Sequence, residues 1–418
     1  MPLLVTTLLR EQLGLGYVST MEVSPDGRTV YFGRYYSYEH DRMNLGVISL
    51  DANGQRSGDI RYFSDCDITK YPLALDSRSS VIKIVIDSNA QKLYLIAYEL
   101  LASPSVYPQK YYLTIYSLQD GIPNQLERSI LSPIVSEDPT HTFSMYALAL
   151  NTTKHRLYFG GDSTKVWYWV LKDGIHDGDP QSVDFGLGGI YDIAVAENPD
   201  LNLLYLGSTS SDTGNPPVLV LVSLDPTGNP VHGSERPYPF GPIDPALWPP
   251  LGSLPGEVSN HESHYNTYLQ FHYTSKAIYR CRTSGRIHPE FPAEVWPIIV
   301  WPLDEATGIP TSTINTPNRS DLTLGIDDPY LGFAESLDIQ TNSIWIAKWN
   351  TFLDAFNPDP NNPCVGGITV NQYNLDLNNT DQTKLYLPTG DPIQTSLPID
   401  RRYECFLQRL LPSCQYYY

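Results

Sequence analysis

The sequence predicts an all-β protein, a single β-propeller of six blades with seven as the alternative, each blade having four antiparallel strands around a central channel. The first observation behind this prediction is composition: 418 residues include 30 Tyr, 35 Pro and 29 Gly, and only 17% are charged. Such a chain favours aromatic strands broken by turns over long amphipathic helices. The second observation is a strand–turn–strand pattern that recurs along the chain.

The recurring pattern is a short apolar strand, a polar turn and a second strand centred on an aromatic residue. Its six copies pair Met21–Val23 with Val30–Phe32, Ile84–Ile86 with Leu93–Leu95, Leu148–Leu150 with Leu157–Phe159, Ala194–Ala196 with Leu204–Leu206, Leu269–Phe271 with Ile278–Tyr279, and Glu335–Leu337 with Ile344–Ile346. The aromatic markers are Tyr31, Tyr94, Tyr158, Tyr205, Tyr279 and Trp345, and we predict that the tyrosines are core residues. The shortest interval, 47 residues, separates Tyr158 from Tyr205, and the longest, 74, separates Tyr205 from Tyr279.

A third strand follows each pair and ends in a turn that carries a glycine. These glycines are Gly54, Gly121, Gly174, Gly228 and Gly308, while the sixth copy, Ile368 to Asp376, lacks one. Short antiparallel units of this length cannot be buried alone, and their repetition is typical of propeller blades. We therefore predict one domain over residues 1–418, closed by the N- and C-terminal segments, with Pro-rich loop insertions at about 232–263 and 347–366.

The turn motifs resemble those of a known superfamily. Ser24-Pro25-Asp26-Gly27-Arg28-Thr29-Val30-Tyr31 and the Leu-Asp-x-x-Thr-Gly run from Leu303 to Gly308 are similar to the lactonase-like (YVTN-type) β-propellers, which include the 6-phosphogluconolactonase propellers. The resemblance covers nearly the whole chain and implies the propeller architecture. It assigns no catalytic residue here, because these are turn and core motifs that propellers of different activity share.

Charge and cysteine usage exclude several classes of function. The chain has 27 basic and 46 acidic residues, a net charge of −19, which argues against nucleic-acid binding and against an anionic membrane surface. The five cysteines form no CxxC pair, so a structural zinc site is not predicted, and whether Cys405 pairs with Cys414 stays open. No signal peptide is recognisable in the chain as given, so we expect a cytoplasmic monomer that binds no membrane.

A functional site is expected on the face of the ring where the first strand of each blade begins, together with the loops between second and third strands. Candidates before the first strands are Tyr17, Ser19, Lys83, His141, Tyr146, Asp192, His261, Glu262, His264, Tyr265 and Glu335. Candidates in the second group are Glu39, His40, Asp41, Arg42, Arg282, Arg286 and His288.

Five of these residues are predicted to be catalytic. Glu335 occupies a slot that is apolar in Met21, Ile84, Leu148 and Leu269, and an acid there must be paired, protonated or functional. A register slip or an inter-blade salt bridge is the alternative for Glu335. His261 and His264 would shuttle a proton with Glu335, and Arg282 and Arg286 would stabilise an oxyanion, although the histidines also fit a solvated loop and the arginines also fit pairs with acidic loops.

The predicted substrate-binding residues are Tyr17, His40, Arg42, His141, Tyr146 and Tyr265. No cofactor is required by the sequence. A divalent metal, calcium, could use the oxygen-rich segments around Asp65-Cys66-Asp67 and Asp359, which otherwise are ordinary turns.

Two functions follow from these residues. The first is a small-molecule enzyme with one active site at the channel mouth, most simply a lactonase-like hydrolase of a cyclic or aromatic substrate. The second is a non-catalytic binding propeller that holds a glycan or a protein partner through aromatic loop residues. Loops that differ from blade to blade favour one central site over several equivalent ones.

Overall fold

The fold comes from a computed structural model of the chain. The structure describes residues 7–9, 18–34, 45–52, 57–58, 61–63, 79–99, 110–131, 144–196, 198, 200–208, 218–239, 269–274, 277–282, 299–311, 333–338, 343–349 and 368–374. All regular elements in these ranges are strands, numbered β1 to β23 along the chain. The prediction of an all-β propeller is confirmed.

The strands form antiparallel sheets in sequence order. Strand β1 is Thr7–Leu9. Blade I contains β2 (Val18–Val23), β3 (Thr29–Arg34), β4 (Leu45–Ser49) and β5 (Arg61–Phe63); blade II contains β6 (Ser79–Asp87), β7 (Lys92–Glu99), β8 (Lys110–Gln119) and β9 (Ile122–Leu131). Blade III contains β10 (Met145–Asn151), β11 (Arg156–Gly161), β12 (Lys165–Lys172) and β13 (Ile175–Asp184); blade IV contains β14 (Ile190–Val195), β15 (Leu203–Ser208), β16 (Val218–Ser223) and β17 (Arg236–Pro239).

Two further sheets have a different composition. Sheet V contains β18 (Leu269–Thr274), β19 (Ala277–Arg282) and β20 (Ile299–Pro302). Sheet VI contains β21 (Phe333–Asp338), β22 (Ser343–Trp349) and β23 (Ile368–Asn374), and β1 adds to its outer edge with Leu8 opposite Val370. The first strands of neighbouring sheets lie side by side, in the order β2, β6, β10, β14, β18, β21 and back to β2, around the central channel.

The predicted set of six, or alternatively seven, four-stranded blades is wrong, because the described residues form four blades of that kind, blades I to IV. Sheet V has three described strands, and sheet VI reaches four only with β1 from the other end of the sequence. The cause is that the repeat pattern marks three strands in each unit. It therefore counts hairpins but carries no signal for the fourth strand.

The Pro-rich segment predicted as a loop insertion at about 232–263 includes β17. Pro237 and Pro239 lie opposite Val220 and Val218 in the register of blade IV. Proline lacks a backbone N–H but is tolerated on the outermost strand of a sheet, where one edge has no strand to pair with.

Burial is concentrated between neighbouring blades. Apolar residues alternate along the strands, so that each blade offers one apolar face to the blade before it and one to the blade after it. The marker residues Tyr31, Tyr94, Tyr158 and Tyr205 are fully buried, which confirms their predicted place in the core.

Each of these four tyrosines also donates a hydrogen bond to the next sheet. Tyr94 of blade II donates its hydroxyl to the Gly174 carbonyl of blade III at 2.8 Å, and Tyr205 of blade IV donates to the Gly308 carbonyl after sheet V at 2.8 Å. Tyr158 donates to Gly228 at 2.6 Å, and Tyr31 donates to Gly121 in the same way. We use the word seam for the hydrogen bond between a marker tyrosine and the glycine of the next sheet, together with the residues that pack over that glycine. The four seam glycines have φ between 66° and 92°, a left-handed conformation in which a side chain is strained.

Candidate functional site at the channel mouth

A β-bulge recurs at the start of the first strand in all four blades. The register shifts between Val18 and Thr20, Val81 and Lys83, Met145 and Ala147, and Ile190 and Asp192. The bulged residues are therefore Ser19, Ile82, Tyr146 and Tyr191. A bulge bends the strand and interrupts the regular alternation of its side chains. In blades I to IV these four positions lie at one mouth of the channel, and we call them the rim.

Aromatic rings form a row on this rim. The Tyr146 and Tyr191 rings stack with centroids 5.6 Å apart and planes 21° from parallel. Tyr111, at the start of β8, meets the edge of Tyr146 with centroids 6.0 Å apart and planes at 84°. Tyr146 and Tyr191 are half-buried, whereas Tyr111 is 3% exposed. Burial, followed by the neighbouring Tyr146 hydroxyl, raises the pKa of Tyr111, so the Tyr111 phenol stays neutral across the ordinary pH range.

The backbone around the row is shaped to hold these rings. A Cβ built on Gly189 would lie 2.7 Å from the Tyr191 ring, so only a glycine lets the ring lie this close to the chain. Asp162 accepts a hydrogen bond from the Ser144 backbone N–H at 3.1 Å and thereby joins the loop after β11 to the start of β10.

An ion pair lies immediately behind the rim. The Lys83 Nζ is 2.9 Å from the Asp192 carboxylate; the Asp192 side chain is fully buried and the Lys83 side chain is 13% exposed. The pair joins blade II to blade IV across blade III, whose residue at the same register position is Ala147. The short side chain of Ala147 leaves room for Lys83 to reach Asp192.

A third ionisable residue, Glu22 of blade I, belongs to this group. Burial raises the pKa of Glu22 to about 8; the positive charge of Lys83 opposes the shift, and the negative charge of Asp192 adds to it. The Glu22 carboxyl is therefore mostly protonated at neutral pH, because a buried carboxylate without full compensation is costly. Lys83 and Asp192 then neutralise each other, and the group carries almost no net charge.

The structure brings some of the predicted site residues together. Tyr146, predicted to bind substrate, lies in the aromatic row. Lys83 and Asp192, both among the candidates before the first strands, form the ion pair. Glu335 lies in β21 opposite Ile346, and Arg282 ends β19 opposite Leu269. Outside the described residues lie Tyr17, His40, Arg42, His141, His261, His264, Tyr265 and Arg286, together with the calcium candidates Asp65, Cys66, Asp67 and Asp359.

The register corrects one step of the argument for Glu335. Glu335 lies opposite Ile346, the residue that follows the marker Trp345. The residues opposite the same position in other hairpins are Met21, Ile84, Leu148 and Phe271. In β18 the equivalent of Glu335 is therefore Phe271 and not Leu269. The turn between β18 and β19 has only two residues. Counting ten residues back from the marker Tyr279 therefore gives Leu269, two positions before the residue that the pairing selects. The slot is still apolar in these four strands.

Three residues of the site were missed by sequence reasoning: Glu22, Tyr111 and Tyr191. Glu22 interrupts the apolar residues of its strand just as Glu335 does, and this interruption is a signal that could have found it. Tyr111 belongs to a third strand, where aromatic residues are common, and its sequence context gives no such signal.

Within the described ranges, no three His, Cys, Asp or Glu residues are placed so that they could hold a metal ion. No helix in that part of the chain is long and apolar enough to span a membrane.

These features define the chain as a β-propeller with an aromatic rim at one mouth of its channel. No protein-family model matches the sequence, and no curated protein matches it. Among solved structures, the chain is similar to one described as "Structure of U3-55K", with 11% identity over 84% of this chain and 82% of that chain and a TM-score of 0.43. This distant likeness adds nothing to the assignment of function, and no comparison points to the lactonase-like superfamily.

Proposed function

We propose that this chain is a non-catalytic binding propeller, a scaffold that holds a protein partner on the face where its first strands begin. The observation that carries the proposal is the stack of Tyr146 and Tyr191 on the rim. Half-buried tyrosines present a large apolar area with a polar end at little cost in side-chain entropy, and they are enriched at the centres of protein interfaces.

The charges behind the rim favour binding over catalysis. A general base needs a proton-accepting atom that is available to the substrate, and an oxyanion donor needs an N–H or O–H group that is available to the reacting oxygen. The ammonium of Lys83 and the carboxylate of Asp192 instead satisfy each other at 2.9 Å. Burial raises the pKa of Glu22 to about 8, so at neutral pH only a minor fraction of its carboxyl is in the ionised form that a general base requires.

The lactonase-like hydrolase stays a prediction. It requires Glu335 to meet His261 or His264 and an arginine, and the side chains of these residues are outside the described part of the chain. A glycan is the other ligand that a tyrosine rim fits, and the experiment below separates it from a protein.

The test compares wild-type protein with Tyr191→Ala and Tyr146→Ala as baits for affinity purification from a native extract, followed by reconstitution with the purified partner. Removing a ring from the stack should weaken the reconstituted complex at least about tenfold, the usual range for a central aromatic residue. Tyr146→Phe is the matched control, because it keeps the ring and should keep most of the affinity. Thermal unfolding of each variant checks that the fold is intact.

Three results would contradict the proposal. The first is an equal affinity of the partner for wild type and for both alanine variants. The second is turnover of lactones that is lost in Glu335→Gln, which would support the hydrolase prediction. The third is binding of a glycan array member that is lost in Tyr191→Ala, which would identify a carbohydrate in place of a protein partner.

A further inference from the structure

We propose that the seam between blades I and II is a second binding site, a groove that accepts a lysine or arginine side chain of a partner protein. It is formed by turns at the opposite ends of the first strands from the bulges, so it is separate from the aromatic rim. The inference does not rest on the proposed function of that rim.

In the other three seams, side chains of the preceding blade cover the glycine. Two residues of the preceding blade lie over the glycine in each of these seams. One lies four positions before the marker tyrosine (Ala90, Lys154 and Leu201), and the other lies two positions before it: Lys92 in blade II, Arg156 in blade III and Leu203 in blade IV. A Cβ built on the seam glycine would lie 2.7 Å from Lys92 Cγ, 3.1 Å from Arg156 Cγ and 3.0 Å from Leu203 Cδ1. A long aliphatic stem thus packs over each of these glycines.

Blade I has the short residue Thr29 at the same position. A Cβ built on the seam glycine there, Gly121, would lie 3.1 Å from the Thr29 hydroxyl oxygen, 3.5 Å from the Tyr31 hydroxyl oxygen and 4.0 Å from Thr29 Cβ. Thr29, Tyr31 and Gly121 line a groove of about 520 Å³ between blades I and II. Its lining includes Ile86 and Leu118, each 8% exposed, which supply an apolar surface.

The rim of the groove is polar and carries more negative than positive charge. It contains the carboxylates of Asp26 and Asp120 and the guanidinium of Arg28. Asp26 already accepts hydrogen bonds from the Ser24 hydroxyl at 2.5 Å and the Arg28 backbone N–H at 3.0 Å. Asp120, in the tight turn before Gly121, is exposed and is the carboxylate best placed for an incoming cation.

The chain itself shows which side chain suits such a site. The stem of Lys92 packs over Gly174 while its ammonium group donates to the Ser117 hydroxyl at 2.7 Å and reaches Glu127 at 3.3 Å. An apolar stem with a cationic end therefore fits both parts of the groove, as long basic side chains do when they bury their methylenes. The net charge of −19 would also attract a basic partner segment.

The test uses three probes, the peptides acetyl-Gly-Xaa-Gly-amide in which Xaa is Arg, citrulline or Asp, with isotope-labelled isoleucine methyl groups in the full-length protein. The Arg peptide should shift the Ile86 methyl signal with a midpoint of about 1–10 mM, the affinity expected of one side chain. The Ile193 methyl group, in the first strand of blade IV, should not move. Citrulline, which has the same shape without the charge, and Asp should give no shift of Ile86.

Two variants complete the test. Thr29→Lys places in blade I the residue that blade II carries, and the register gives it the same kind of partner, since Thr29 faces Ser49 as Lys92 faces Ser117. It should abolish the Ile86 shift, whereas Thr29→Ser should keep it. Asp120→Asn tests the charge without filling the groove and should weaken binding about two- to fivefold, as for an exposed ion pair.

The proposal is overturned if the Arg peptide leaves Ile86 unmoved, if citrulline binds as well as Arg, or if Thr29→Lys with a native methyl spectrum still binds. Should Thr29→Lys fail to fold, the comparison of Arg with citrulline and the Asp120→Asn variant decide the question alone.

Discussion

At the scale of single residues, the seam glycines are constrained twice, by their backbone conformation and by what lies above them. Gly174→Ala should destabilise the protein by about 2–4 kcal/mol, combining the left-handed strain of a Cβ with overpacking against a covered site. The built Cβ would lie 2.7 Å from Lys92 Cγ and 3.0 Å from Ala90 Cβ. Denaturant unfolding measures the change.

Gly178→Ala is the matched control for this prediction. Gly178 has φ 75°, close to the 73° of Gly174, but a Cβ there meets nothing within 4 Å. Its alanine variant should lose only the conformational part, about 1 kcal/mol. Equal losses in the two variants would show that packing across the seam contributes nothing.

The pKa of Glu22 makes stability depend on pH. Below about pH 4.5 the carboxyl is protonated in both states; between 4.5 and 8 the unfolded chain releases the proton while the folded protein keeps it. The folded state then binds more protons, so the free energy of unfolding falls as pH rises through this window, by up to about 1.4 kcal/mol per pH unit. Glu22→Gln cannot ionise and should lack this fall.

The measurement is the unfolding free energy of wild type and variant from about pH 5 to pH 8, the window in which the linkage acts. Glu127→Gln is the control: the Ser117 hydroxyl holds the pKa of Glu127 below its usual value, so this carboxyl stays ionised across the window. Its pH profile should run parallel to that of wild type. A parallel profile for Glu22→Gln would instead place Glu22 in contact with water.

At the scale of elements, the hairpins were predictable and the outer strands were not. The paired strands around Tyr31, Tyr94 and Tyr158 carry a strong pattern because both faces of each blade are buried. The fourth strands of blades III and IV have one exposed edge and little apolar content, as the exposed carboxylates of β13 and the prolines of β17 illustrate. Without burial there is no hydrophobic periodicity, and the repeat pattern could not count them.

For the candidate site, the sequence indicated individual residues but not the contacts between them. Lys83, Tyr146 and Asp192 were found because they stand just before apolar strands. The stack of Tyr146 on Tyr191 was not, since a bulge depends on which residues pair across the hairpin, and pairing is not visible in one strand. The ion pair of Lys83 with Asp192 joins blades II and IV, which are not neighbours. The repeat pattern compares one blade with another and contains no information on contacts between them.

At the scale of the whole molecule, β1 joins one end of the described chain to the sheet formed near the other end. Removing residues 1–9 should therefore lower the thermal midpoint, by about 2–4 °C for each kcal/mol of lost pairing in a large domain. Removing residues 1–5 is the control, because it leaves the pairing of Thr7–Leu9 with β23 intact. If both truncations have the same midpoint as the full chain, β1 does not hold the sheet.

The seams also have a direction: one blade gives a hydroxyl and the following blade gives a carbonyl. In an oligomer such a head-to-tail contact is heterologous, and it closes into a ring whenever the rotation per subunit completes a full circle. The same rule operates here inside one polypeptide. A duplicated blade would meet both neighbours through a contact that the protein already uses, so a gene encoding this fold can gain or lose a unit without a new kind of interface.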